Sequence, residues 1–149
     1  MPHIVYEALR LLYLATLIGA CSYAFWRGGE DERIGAGIQL ASSLASLPAA
    51  WLAGRSGWQA GHLPLLAVDL LTLVAFVWLA MRSRKFWPLW VAGFHLNAVL
   101  THLAKLLAPT ALPAGYALVQ GFWAYPLMAA LIVGTRNQSR MRHRHAQAV

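Results

Sequence analysis

The sequence predicts an all-α, polytopic transmembrane helical bundle, and three observations predict it. Of 149 residues, 59% are hydrophobic and only 11% are charged, where a soluble domain carries about 25% charged residues. The apolar residues gather into five segments, each close to the ~20 residues that span a bilayer. Lys and Arg are divided unequally among the polar breaks between those segments. A disulfide scaffold is excluded because Cys21 is the only cysteine, and a disordered chain is excluded by the hydrophobicity.

The spans are expected at about 4–26, 34–54, 63–81, 86–107 and 113–135, with an alternative of four spans and one interfacial or re-entrant segment. The bundle then occupies residues 1–135, and 136–149 form a basic tail. If all five segments cross, the breaks 27–33 and 82–85 share one side with the tail. That side holds nine of the twelve Lys and Arg residues. The positive-inside rule therefore places the C-terminus in the cytoplasm and the N-terminus outside, as expected for a multi-pass protein of a bacterial inner membrane. Trp26, Trp78, Trp87 and Trp90 mark the inner boundary, and Trp51, Trp58 and Tyr116 the outer one, as two aromatic belts.

The first span has no basic cluster ahead of it, so it reads as a retained helix rather than a signal peptide. It carries Glu7 and Arg10. After it, Gly28-Gly29 and the triplet Glu30-Asp31-Glu32 read as a flexible, solvated turn, with docking onto a basic surface as the alternative.

The second span has the most regular pattern in the chain. Ala41, Ala45, Ala49 and Ala53 form one stripe at four-residue spacing, and Ser42, Ser46, Ala50 and Gly54 form its neighbour. Four residues advance slightly more than one helical turn, so both stripes share a face. Small side chains let helix backbones approach closely in lipid. That face is expected to pack inside the bundle or against another membrane protein.

The third, fourth and fifth spans carry Asp69, then His102 and Lys105, then Gln120. At 1.5 Å per residue, Arg10, Asp69, His102 and Gln120 all lie about 7–10 Å inside the outer boundary. A carboxylate at membrane depth costs about 3 kcal/mol on insertion scales, so Asp69 requires a partner. Arg10 is the first expectation, because its forked guanidinium suits a carboxylate. His102 is the second and Lys105 the third. Such a cluster serves either as an interhelical clamp or as a proton or ligand site.

His95 and His102 lie seven residues apart on one face of the fourth span, whereas a bis-histidine haem takes its ligands from opposite faces of the ring. The pattern Ala98-x-x-x-His102 resembles the pigment-ligating spacing of bacterial light-harvesting peptides, which would imply a chlorophyll-type pigment on His102. No cofactor and no metal is the primary expectation, with haem or such a pigment at His95 or His102 as the alternative. His143 and His145 make only an incomplete metal site.

Function is legible only in outline. No phosphate loop, Gly-x-Ser-x-Gly or His-Glu-x-x-His motif is present, so an enzyme is not expected. The net charge of +7 is spent on orientation and on attraction of the tail to anionic lipid, which argues against nucleic acid. The leading expectation is a non-catalytic accessory subunit or assembly partner of a larger inner-membrane complex. Its partners would be membrane lipids and other membrane subunits or a second copy. The rival is a small transporter, channel or proton conductor built on Asp69 and His102, in which a second copy would help to enclose the pathway. A tetrapyrrole-binding protein is the third reading.

Overall fold

The computed structural model describes residues 2–55, 63–107 and 122–147, and within them the chain is all-helical with five helices. Helix α1 (Pro2–Arg27) is joined through Gly28-Gly29 to α2 (Glu30–Arg55). Helices α3 (Leu63–Arg82) and α4 (Trp87–Leu107) are joined by a short turn, and α5 covers Ala124–Gln147. Among the described residues, three stretches are long and apolar enough to cross a membrane: Glu7–Arg27, Glu30–Ala53 and Leu63–Arg82. Each helix packs on a sequence neighbour and α5 returns against α1, closing the five into a ring.

The outside of the ring carries Leu11, Ile18, Leu47, Leu71 and Leu100, all exposed. Water would make such a surface an aggregation hazard, whereas lipid tails solvate it. The inside is a core of Leu17, Cys21, Phe76, Leu79, Val91, Met128 and Leu131. These residues recur at three- and four-residue intervals along their helices, the spacing that keeps one face inward.

Two helix boundaries differ from the sequence expectation. Helix α2 begins at Glu30 rather than 34, because Gly29 N–H donates to Glu32 Oε2 at 2.9 Å and the acidic first turn suits the positive end of the helix dipole. Helix α5 follows a turn at Trp123 and continues through the basic run to Gln147, past the expected end near 135, while 113–121 of the expected fifth span lie outside the described residues. Pro126 therefore sits in a first turn, where its missing N–H leaves no bond unmade. Trp58, Tyr116 and Gln120 lie outside the described residues.

The turn carrying Glu30-Asp31-Glu32 is not a loose, solvated element. All three acids reach across to the α3–α4 turn. Glu30 pairs with Arg82 at the surface. Asp31 Oδ2 accepts from Ser83 Oγ at 2.8 Å. Glu32, fully buried, receives Lys85 Nζ at 2.9 and 3.0 Å and Trp87 Nε1 at 2.9 Å. The docking surface it finds is within its own chain.

Trp87 also leaves the expected belt and turns inward, while Trp26, Trp78 and Trp90 stay exposed. Its ring lies between Gly35 of α2 and Gly134 of α5. A Cβ at either glycine would come within 2.5 Å of the indole. Glycine at these two positions is what admits a tryptophan to the centre of a helix ring.

Candidate functional site

At the other end of the core the ring opens into a cavity of about 180 Å³ with polar side chains in its wall, to which all five helices contribute. Helix α1 supplies Tyr13, and α2 supplies Gln39, Ser42, Ser43 and Ser46. Asp69 comes from α3, His95 and Ala98 from α4, and Ala124 and Leu127 from α5, with Trp123 in the turn before it. The side chains are held from behind. Tyr13 Oη and Ser43 Oγ are hydrogen-bonded at 2.7 Å, and Ser42 and Thr72 hydroxyls at 2.8 Å. Ser46 Oγ donates to the Ser42 carbonyl at 2.9 Å.

Asp69 is bracketed by two imidazoles of α4. His102 Nε2 lies 2.9 Å from Asp69 Oδ2, and His95 Nε2 lies 3.9 Å from Oδ1. His102 is buried deep in the ring, and His95 is buried with Phe76 tilted against its ring at 5.9 Å. Seven residues bring two α4 side chains back to nearly the same face, so one carboxylate from α3 can sit between them.

Three buried polar atoms on this cavity have no hydrogen-bond partner among the described residues: Gln39 Oε1, His95 Nε2 and Trp123 Nε1. Each such atom costs roughly 1–3 kcal/mol when left unsatisfied. They converge on one space that is large enough to hold water. The three are chemically unlike: an amide oxygen that accepts, an indole N–H that donates, and an imidazole nitrogen able to do either.

The expected residues divide between inside and outside. Asp69 and His102 meet, which is the second-ranked pairing, and His95 Nε2 lies 3.9 Å from the same carboxylate. Both α4 imidazoles turn toward the carboxylate. Arg10 does not approach Asp69: α1 is exposed on every side from Glu7 to Leu12, so Glu7 and Arg10 stand clear of the bundle. Lys105 lies half-buried, one turn beyond His102. Among the described residues, no group of three or more His, Cys, Asp and Glu is arranged to hold a metal.

The small-residue face of α2 is also divided. Ala49 is buried, and Ser42, Ser46 and Ala53 are half-buried, but Ala41, Ala45 and Ala50 are exposed. Gly54 falls in the last turn of the helix. Four residues turn a helix through about 400°, so each step along a stripe drifts some 40°. Ala41 and Ala53 are consequently about 120° apart. The face that stays inward alternates steps of three and four, through Gln39, Ser42, Ser46, Ala49 and Ala53.

Gln39, Tyr13, Ser43, Thr72 and Trp123 were not singled out by sequence. One signal was available for Gln39, an uncharged amide three residues before Ser42 on that alternating face. Comparison with family models, with curated proteins and with solved structures finds no match.

Proposed function

We propose that this chain is a membrane carrier that binds a small polar solute in the five-helix cavity, with Asp69 and His102 as its proton-holding pair. The reading rests on one observation, the convergence of three buried polar atoms that have no hydrogen-bond partner among the described residues, beside a carboxylate bracketed by imidazoles. Polar and ionisable groups at membrane depth are costly and belong to pathways or binding sites. A carrier fits better than an open channel. Phe76, Leu79, Val91, Met128 and Leu131 fill the ring on one side of the cavity, so passage requires that plug to move. The cavity is lined within one chain, so solute binding does not call for a second copy.

In this reading the chain crosses a bacterial inner membrane five times, with the N-terminus outside and the α1–α2 and α3–α4 turns facing the cytoplasm. The apolar plug and the acid–base clamp then close the cytoplasmic side. The test is flux of protons and small polar solutes in liposomes containing the full chain. Wild type is expected to exceed empty liposomes for protons or at least one solute, and Asp69→Asn to abolish that excess. Flux equal to empty liposomes throughout overturns the proposal.

A second reading, the accessory subunit, draws on the exposed Ala41 and Ala45, which line a shallow groove with Val68, Leu71 and Ala75. A partner helix packed there would bring backbones close. Purification in mild detergent with mass spectrometry tests it, and a chain that runs alone under gentle conditions removes it. A tetrapyrrole on His95 or His102 is tested by an absorption spectrum of protein from its native membrane.

A further inference from the structure

A second space, separate from the solute cavity, lies on the outer side of the ring between α4 and α5. It is a groove of about 680 Å³, and its character changes along its length. Arg84, Lys85, Asn137 and Gln138 line the end at the α3–α4 turn. Trp90, Phe94, Ala129, Ala130 and Val133 line the remainder. The groove exists because α5 presents Ala129, Ala130 and Gly134 opposite the aromatic side chains of α4. Small residues on one wall and large ones on the other leave a slot.

We propose that this groove is a specific site for one acidic phospholipid, with its acyl chain along the aromatic wall and its phosphate at Arg84, Asn137 and Gln138. Two observations select that occupant. The first is length. From Pro126 to Asn137 the groove follows α5 for about 16 Å at 1.5 Å per residue, close to half of a ~30 Å hydrocarbon core. One leaflet's acyl chain matches that span.

The second is charge. Among the described residues, the polar end is lined by two cations and two amides and by no carboxylate. Lys85 is committed to Glu32 and Asp31, which leaves the exposed Arg84 to meet an added anion. Arg136 and Arg140 stand exposed on the same stretch of α5 and raise the local positive potential. A zwitterionic headgroup would bring a second cation into this field, whereas an acidic one brings net negative charge.

The test uses the full chain in mild detergent, titrated with phosphatidylglycerol or with phosphatidylcholine of identical acyl chains, and bound lipid is counted by native mass spectrometry. One phosphatidylglycerol per chain is expected to be retained in preference to phosphatidylcholine. Arg84→Gln should lower that preference about fivefold, equivalent to ~1 kcal/mol per interfacial charge. Ala129→Phe should displace the tightly held lipid. Ala129 is exposed, so the added ring fills the groove without entering the core. Arg33→Gln removes a charge from the same end of the bundle, away from the groove, and should leave the preference unchanged. Equal retention of the two lipids overturns the proposal. So does retention unaffected by Ala129→Phe, or a loss on Arg33→Gln matching that on Arg84→Gln.

Discussion

Glu32 and Lys85, fifty-three residues apart in sequence, meet at 2.9 Å, with the Glu32 carboxylate wholly withdrawn from solvent. Glu32 also accepts from the Trp87 indole and from the Gly29 backbone N–H, each at 2.9 Å. One carboxylate thus starts a helix, ties two interhelical turns together and orients the tryptophan that fills the ring.

Removing Glu32 should therefore cost more than an ordinary salt bridge. Glu32→Ala leaves Lys85 only its 3.4 Å contact with Asp31 and leaves the Trp87 and Gly29 N–H donors unpaired, each at roughly 1–3 kcal/mol. An isolated buried pair is often replaced by apolar residues without loss, but here Glu32→Leu with Lys85→Met should stay destabilised. Two N–H donors would remain unpaired, at roughly 1–3 kcal/mol each. Glu32→Gln keeps an acceptor and should retain more stability than either. Thermal unfolding in detergent, followed by the monodisperse fraction, ranks the three variants.

The same reasoning separates Arg10 from His102. Arg10→Leu should change stability by no more than about 0.5 kcal/mol, as for an exposed position. His102→Leu removes the group 2.9 Å from Asp69 and should cost about 1–3 kcal/mol. Folded yield of the two variants compares them directly. Equal losses would put Arg10 back beside Asp69.

The all-helical architecture was legible in the sequence because hydrophobicity and segment length are local properties. So was the need of Asp69 for a partner, since burial of a carboxylate is costly wherever it occurs. Which partner it takes was not legible, because matching depth says nothing about the direction in which a side chain faces. Arg10 and His102 match Asp69 in depth, yet only His102 points at it. The acid–base clamp was legible only as the alternative reading of the acidic triplet, docking onto a basic surface, for another reason. Glu30-Asp31-Glu32 and Arg82–Lys85 each read as a solvated loop alone, and only a closed fold brings them together. The cavity had no signature beyond single polar residues such as Tyr13 and Gln39, whose meaning comes from converging with groups on other helices.

Glycine substitutions should divide by sign. Gly35→Ala and Gly134→Ala each drive a methyl into the Trp87 ring and are expected to destabilise by about 1–3 kcal/mol through overpacking. Gly37 and Gly93 have nothing within 4 Å of an added Cβ. Alanine there should be neutral or stabilising by up to ~1 kcal/mol, the helix-propensity difference. Unfolding midpoints of the four single variants are the measurement. Uniform behaviour across the set would mean that Trp87 is not held between the two glycines.

Orientation can be read chemically. With Cys21 replaced by Ala, single cysteines at Arg33 and Ser139 should react with an impermeant thiol reagent only after permeabilisation. Cysteines at Ser56 and Thr110, in the two breaks assigned to the outside, should react in intact cells. Labelling of Ser56 and Arg33 from the same side would mean that the second segment does not cross.

The two faces of α2 distinguish the carrier from the accessory subunit. Ala49 is buried in the ring whereas Ala45 is exposed in the groove with Val68 and Leu71. Ala49→Leu should therefore destabilise the isolated chain by about 1–3 kcal/mol, and Ala45→Leu should leave it within ~0.5 kcal/mol of wild type. Overpacking at Ala49 acts inside the bundle and is felt whether or not a partner is present. Bulk at Ala45 lies in the open groove beside Val68 and Leu71, outside the ring, so a loss of assembly must come from something that covers the groove in the native membrane. If that cover is another subunit, Ala45→Leu should release it from a mild-detergent complex while the isolated chain melts unchanged. If the chain works alone as a carrier, flux through Ala45→Leu should match wild type. Thermal melts of isolated protein, co-purification from native membrane and liposome flux, applied to the same two variants, separate packing inside the ring from contact outside it.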